Sequence, residues 1–223
     1  KVLVTKFFKL QLLRSTFLFF ATYFFFTSLK YLQLVQVNAI FQVAPIFVTL
    51  LSAFVLKEYI NIKRWGGVII GMLGALLIIR PGSEVFSINI ILPAIAALCY
   101  ASYVISTRFL SQEESATTNF IYSSLIGSIL ASILVIPSWI SIDPTDIFVF
   151  SGFGLLGALG HLFLINAFRM SEASFLAPFN YLNLVFGTIW GFYIFDEIPG
   201  FFTITGSLVI VSSGIYIWMK DKK

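Results

Sequence analysis

The only histidine among 223 residues, His161, lies within FGLLGALGHLFLINAFRM, Phe153 to Met170. An imidazole titrates close to neutral pH, so a ring placed here can act as a solute contact or a protonation switch. The alternative is a neutral ring hydrogen-bonded to another helix, which satisfies a polar group in an apolar setting. Asn166 is five residues further on and falls on a different helix face. Just upstream, Gly152, Gly154 and Gly157 spell GxGxxG, and Glu172 follows about 20 residues on, the pattern of a dinucleotide fingerprint. That fingerprint must leave a strand and open a helix. Here it lies inside the uncharged run 147–168, so these glycines and Gly160 read as a smooth helix face for close packing. Gly67 with Gly71, Gly127 with Ala131, and Gly187 with Gly191 repeat the four-residue spacing.

Other polar side chains cluster near prolines. Asn38 and Gln42 are one turn apart before Pro45, Tyr100 and Tyr103 follow Pro93, and Asn180, Tyr181 and Asn183 follow Pro178. Proline frees backbone carbonyls and can widen a helix beside a binding site. These eight residues, Asn38, Gln42, Tyr100, Tyr103, His161, Asn180, Tyr181 and Asn183, are the candidate lining of a central cavity. Hydrogen bonding between helices, about 0.6 kcal/mol on average, is the other role open to each. No Asp or Glu sits centrally in an apolar run. A cationic solute would therefore rest on tyrosine faces and amide oxygens. One histidine, one cysteine (Cys99) and no central carboxylate leave no catalytic triad, no Cys/His metal site and no disulfide, so neither an enzyme nor a cofactor is expected.

The elements that must position these residues are membrane helices. The chain is 59% hydrophobic and 11% charged, against roughly 25% charged in soluble domains. Residues free of Asp, Glu, Lys and Arg run through 15–29, 31–56, 65–79, 85–107, 115–142, 147–168, 173–195 and 198–219. A spanning helix needs about 20 apolar residues. Six runs reach that length, and the two of 15 are bracketed by Arg14, Lys30, Arg64 and Arg80, whose heads can reach the interface. Barrel strands would be half as long and would alternate. Eight transmembrane helices in an all-α polytopic fold are expected. With the N-terminal end placed inside, 12 of the 14 basic residues fall in inner loops and 2, Lys30 and Arg80, fall outside. This matches the positive-inside bias and places both ends in the cytoplasm. The net charge of +4 is thereby explained without nucleic acid.

Two segments resemble one another, FVLKEYINIKRWGGVIIGMLGALLIIRPG and YIFDEIPGFFTITGSLVIVSSGIYIWMKD. Glu58 precedes Gly67 by 9 residues, and Glu197 precedes Gly206 by 9, with Gly74 and Gly214 following. On the loop count the copies cross the membrane in opposite directions, a transporter signature. The second copy holds five helices from near Val85 and the first holds three. Two helices are therefore expected ahead of Lys1, with a natural eight-helix protein as the alternative.

The stretches LQLLRSTF, NAIFQVAPIFVTLLSAFVLKE, GGVIIGMLGALLIIRPG, AFRMSEASFLAPFNYLNLVFG and FDEIPGFFTITGSLVIVSSGIYI resemble the EamA branch of the drug/metabolite transporter superfamily. The resemblance implies ten helices in two inverted five-helix repeats, with Glu58 and Glu197 ending the fourth and ninth. Residues 1–84 would be the last three helices of the first repeat and 85–223 the whole second repeat. EASFLAPFNY is similar to a stretch of the bacterial S-adenosylmethionine uptake carriers in that family. The implied function is a secondary carrier that moves a small organic metabolite across the inner membrane by alternating access. Its partners are a small-molecule solute and the lipid bilayer, and a homodimer is compatible with both. A non-transporting scaffold or sensor is the other reading.

Overall fold

The computed structural model describes residues 4–32, 34–79, 88–139, 143–195 and 198–221. Among these the chain is helical, with no strand. The helices are α1 (Phe8–Ser28), α2 (Leu34–Phe41), α3 (Ala44–Val55), α4 (Ile62–Ile79), α5 (Ile91–Glu113), α6 (Ala116–Val135), α7 (Asp146–Met170), α8 (Ala173–Leu176), α9 (Leu182–Phe195) and α10 (Phe201–Asp221). They form eight consecutive helical segments, one on each uncharged run. α1, α5, α6 and α7 are long and apolar enough to cross a bilayer unaided.

Two segments are broken, for a reason visible in the sequence. Proline lacks an N–H and its ring clashes with the carbonyl four residues back. Pro45 faces Phe41 in this way, so α2 stops at Phe41, Gln42 and Val43 turn, and α3 restarts with Pro45 in its first turn. Pro178 likewise lies in the 3₁₀ stretch Ala177–Tyr181 that joins α8 to α9. Each break carries candidate site residues on or beside it.

α5 is the central helix and packs against α1, α3 and α7. Ala96, Ala97 and Ala101 are fully buried along it, and such small side chains let neighbouring helices come close. Val48 of α3, Tyr103, Val104 and Ile105 of α5, Phe168 of α7, and Ala173 and Ala177 close the main core. A second core holds α4 against α10 around Ala75, Tyr181 and Ile210. Glycine is required at this crossing. A Cβ on Gly206 would lie 2.6 Å from the Gly74 carbonyl oxygen, and one on Gly71 would lie 2.6 Å from the Tyr181 ring.

The close packing expected at the α7 glycines is not found among the described residues. A Cβ on Gly152, Gly154, Gly157 or Gly160 would meet nothing within 4 Å, and the same holds at Gly127. Only Ile165 and Phe168 of α7 are buried. The environments of Gly187 and Gly191, and all of Glu197 and Arg80, lie outside the described residues.

Candidate solute-binding site

Tyr103 is the hub of the site. It is fully buried on α5, between Arg14 of α1 and His161 of α7. Its Oη is 2.8 Å from His161 Nε2, and the two rings stack 5.5 Å apart at 20°. Three residues back, Tyr100 donates to Asn180 Oδ1 at 3.1 Å, and its ring contacts Phe41 at 5.6 Å and Tyr103 at 6.2 Å. Phe41, Tyr100, Tyr103 and His161 thus form an aromatic ladder, extended by Phe120 at 6.4 Å from the imidazole. The spacing of three along α5 puts both tyrosines on one face. Asn180 is brought to that face by the 3₁₀ stretch after Pro178, where its Nδ2 donates to Ala177 O at 3.2 Å.

His161 is half-buried and lines a cavity of about 350 Å³ with Leu18, Phe120, Ser123, Gly154 and Gly157. The open glycine face of α7 is thus one wall of this cavity. A second cavity, of about 610 Å³, runs between α1 and α6 from Ser15 to Lys30 and shares Leu18, Ser123 and Gly127 with the first.

The eight candidates do not all meet. Tyr100, Tyr103, His161 and Asn180 are joined by contacts. Gln42 is buried at the α2–α3 turn with its Nε2 unpartnered, and Asn38 is half-buried one turn earlier. Tyr181 packs on the other side, against Gly71 and the α4–α10 core, with its hydroxyl unpartnered. Asn183 is exposed on α9, just beyond the 3₁₀ stretch and Leu182. Asn166 is exposed and donates back to Leu162 O at 2.9 Å.

Sequence reasoning missed Arg14. Its place at the edge of an uncharged run suggested a head at the interface. The helix instead starts six residues before it, at Phe8, and the side chain is fully buried. It donates to Thr107 Oγ1 at 3.3 Å, Ser123 Oγ at 2.7 Å and the Asn119 carbonyl, with its Cζ 5.7 Å from the Tyr103 ring centroid. The readable signal was the polar set Thr107, Asn119 and Ser123 inside otherwise apolar spans.

The second missed feature is a charged network at one end of the bundle. Lys57 adopts a left-handed conformation, φ 55°, that ends α3 and turns Glu58 inward. Glu58 accepts from Ala173 N–H at 3.0 Å, Ser174 N–H at 3.1 Å and Ser174 Oγ at 2.9 Å, and Arg108 Nε lies 3.6 Å away. It therefore caps the start of α8 and pairs with a basic group. Arg108 is 50 residues away in the sequence and Ala173 is 115 away. Arg64 pairs with Glu172 and donates to Ser174 Oγ at 2.8 Å. Arg108 and Gln112 donate to the last carbonyls of α7, at Phe168 (2.7 Å) and Arg169 (2.9 Å). These are the groups a helix end leaves unpaired.

A bundle of apolar helices, two of them broken beside a polar ladder and an open cavity, defines a multi-pass membrane protein. Its family follows from residues 3–80 and 87–219, which match the EamA-like transporter family. The chain belongs to that family. It is 28% identical over 179 residues to an S-adenosylmethionine uptake transporter of Rickettsia conorii, covering 80% of this chain and 61% of the relative. A riboflavin transporter of Vibrio cholerae is 27% identical over 186 residues, with 83% and 62% covered. A pseudopaline exporter of Pseudomonas aeruginosa is 26% identical over 193 residues, with 84% and 66% covered. The chain spans about three fifths of the length of the first two relatives. A solved crystal structure at 15% identity superposes with a TM-score of 0.86 over 97% of this chain and 80% of that one, so the fold is shared.

Proposed function

We propose that the protein is a secondary carrier in the inner membrane that moves a small organic metabolite by alternating access. The observation that carries this reading is the Tyr103–His161 and Tyr100–Asn180 ladder beside the 350 Å³ cavity, in a chain of a transporter family. Tyrosine faces and an imidazole edge suit a planar or cationic solute, and the broken helices supply free backbone groups at the same depth. Residues 1–84 act as three helices and 85–223 as five of a ten-helix inverted repeat. Support comes from the paired breaks in α2/α3 and α8/α9, and from the bare face of α7 where α1, its counterpart, is packed on α5 and α6. Both ends are cytoplasmic on the charge count. The solute is S-adenosylmethionine or an amino-acid-like metabolite, on the strength of the uptake transporter relative and the EASFLAPFNY stretch.

Counterflow tests the proposal. The full-length protein is reconstituted in vesicles preloaded with one metabolite, and entry of labelled S-adenosylmethionine is followed beside an amino-acid panel. Accelerated S-adenosylmethionine entry is expected. Entry with amino acids alone keeps the carrier and drops the solute. No entry from inserted protein leaves the scaffold or sensor reading.

A further inference from the structure

Arg14 is a fully buried cation whose hydrogen-bond partners are all neutral: Thr107 Oγ1, the Asn119 carbonyl and Ser123 Oγ. Its Nε has no partner. No carboxylate among the described residues pairs with it. Glu114 acts on it only from a distance, because its oxygens are held by Thr5 Oγ1, the Lys6 N–H and Gln11 Nε2. A buried charge is costly unless it is paired. Ionisable groups inside a membrane accordingly mark pathways and cavities. Arg14 meets that description through Ser123, which it holds at 2.7 Å and which lines both cavities where they join. Ser15, the next residue, lines the larger one. No Asp or Glu is among the lining residues of either cavity, and the single charged one is Lys30, at the far end of the larger.

We propose that Ser123 backed by Arg14 is an anion-recognising site, and that the solute carries a carboxylate there. The hydroxyl of Ser123, which in this structure donates to the Asn119 carbonyl at 3.1 Å, turns to donate to the carboxylate; that carbonyl keeps its bond from Arg14, and the guanidinium supplies the missing counter-charge. No carboxylate lines this junction and Arg14 stands behind it, so a solute with only cationic groups is disfavoured there. The anion site stands on its own geometry. That its ligand is carried across the membrane rests on the transport reading above.

The test reads the charge at position 123 directly. In full-length protein in membrane vesicles, Cys99→Ala removes the one thiol of this sequence, any cysteine elsewhere in the full-length protein is likewise replaced, and Ser123→Cys introduces a single new one. The reagents are a sulfonated methanethiosulfonate and its trimethylammonium counterpart, each scaled to its rate with a free thiol. The anionic reagent is expected to react faster by about tenfold or more, as a focused field produces. Adding Arg14→Gln should cancel that advantage, while Arg14→Lys and Lys30→Gln should keep it. Equal rates, or a cationic preference, overturn the site. So does an advantage that survives Arg14→Gln or disappears with Lys30→Gln. Should Arg14→Gln fail to insert, the Arg14→Lys and Lys30→Gln pair decides by the same criterion. An anionic preference without counterflow would retain the site and discard transport, and counterflow without the preference would do the reverse.

Discussion

At the scale of single residues, the stack of Tyr103 on His161 separates two contributions. Tyr103→Phe keeps the ring and removes the 2.8 Å hydrogen bond to Nε2. A hydrogen bond of this kind contributes about 1 kcal/mol net, so counterflow should fall about five- to tenfold with insertion unchanged. Tyr103→Ala and His161→Ala also remove the stacked faces, and flux should be abolished in each while the protein still inserts. Wild-type flux in both alanine variants would remove these residues from the site. Sequence spacing made this pair legible in part. A solitary histidine in an apolar run must meet something, and Tyr100 and Tyr103 had to share a face. That Tyr103 was the partner was not legible, because 58 residues and a helix packing order separate them. Arg14 was misplaced for a related reason. A charged residue marks the end of an apolar run only when no polar neighbour across the bundle accepts it, and Thr107, Asn119 and Ser123 do so here.

Among the elements, the junction of α3, α5 and α8 depends on one carboxylate. Glu58 is 8% exposed and Arg108 is 19% exposed at the side chain. Removing one partner of a buried pair costs about 3–5 kcal/mol, and the loss of two N–H acceptors at the start of α8 acts in the same direction. Glu58→Ala should therefore lower stability by about 3 kcal/mol in thermal unfolding of the purified protein. Glu58→Ala with Arg108→Met should recover part of it, because the stranded charge is gone; equal instability of the single and double variants would show that capping, rather than pairing, dominates. Where α4 crosses α10, Gly206→Ala gains about 1 kcal/mol of helix propensity but sets a Cβ 2.6 Å from the Gly74 carbonyl. A backbone wall cannot yield, so the overpacking cost of about 1–3 kcal/mol wins. Gly66→Ala, with nothing within 4 Å, should be neutral or mildly stabilising. Spaced glycines in the sequence marked both helices as packing surfaces without showing which glycine is in contact, since that depends on the crossing point. The prolines were more informative. Pro45 ends α2 at Phe41, four residues back, and Pro178 lies in the 3₁₀ stretch that joins α8 to α9, with Gln42 buried and Asn180 half-buried beside them.

On the scale of the whole molecule, the eight uncharged runs map one to one onto the eight helical segments, because hydropathy and length are local properties that a bilayer enforces directly. The order in which helices pack is not local, and α7 shows the consequence. Its glycines were expected to lie against a neighbour, yet Gly152 and Gly160 stand open within this chain. Under the ten-helix proposal that face is covered in the assembled transporter, as α1 is covered by α5 and α6. The two glycines then become a direct probe. Gly160→Phe on the bare face should clash with a packed helix and lower the melting temperature of the full-length protein by several degrees, equivalent to an overpacking cost of about 1–3 kcal/mol. If the face meets lipid instead, a phenylalanine there is as apolar as the acyl chains and gains helix propensity over glycine, so stability should hold or rise. Gly152→Phe, two turns away and also outside the cavity lining, should behave in the same way. A drop at one position only would confine the contact to a crossing rather than a helix lying along α7.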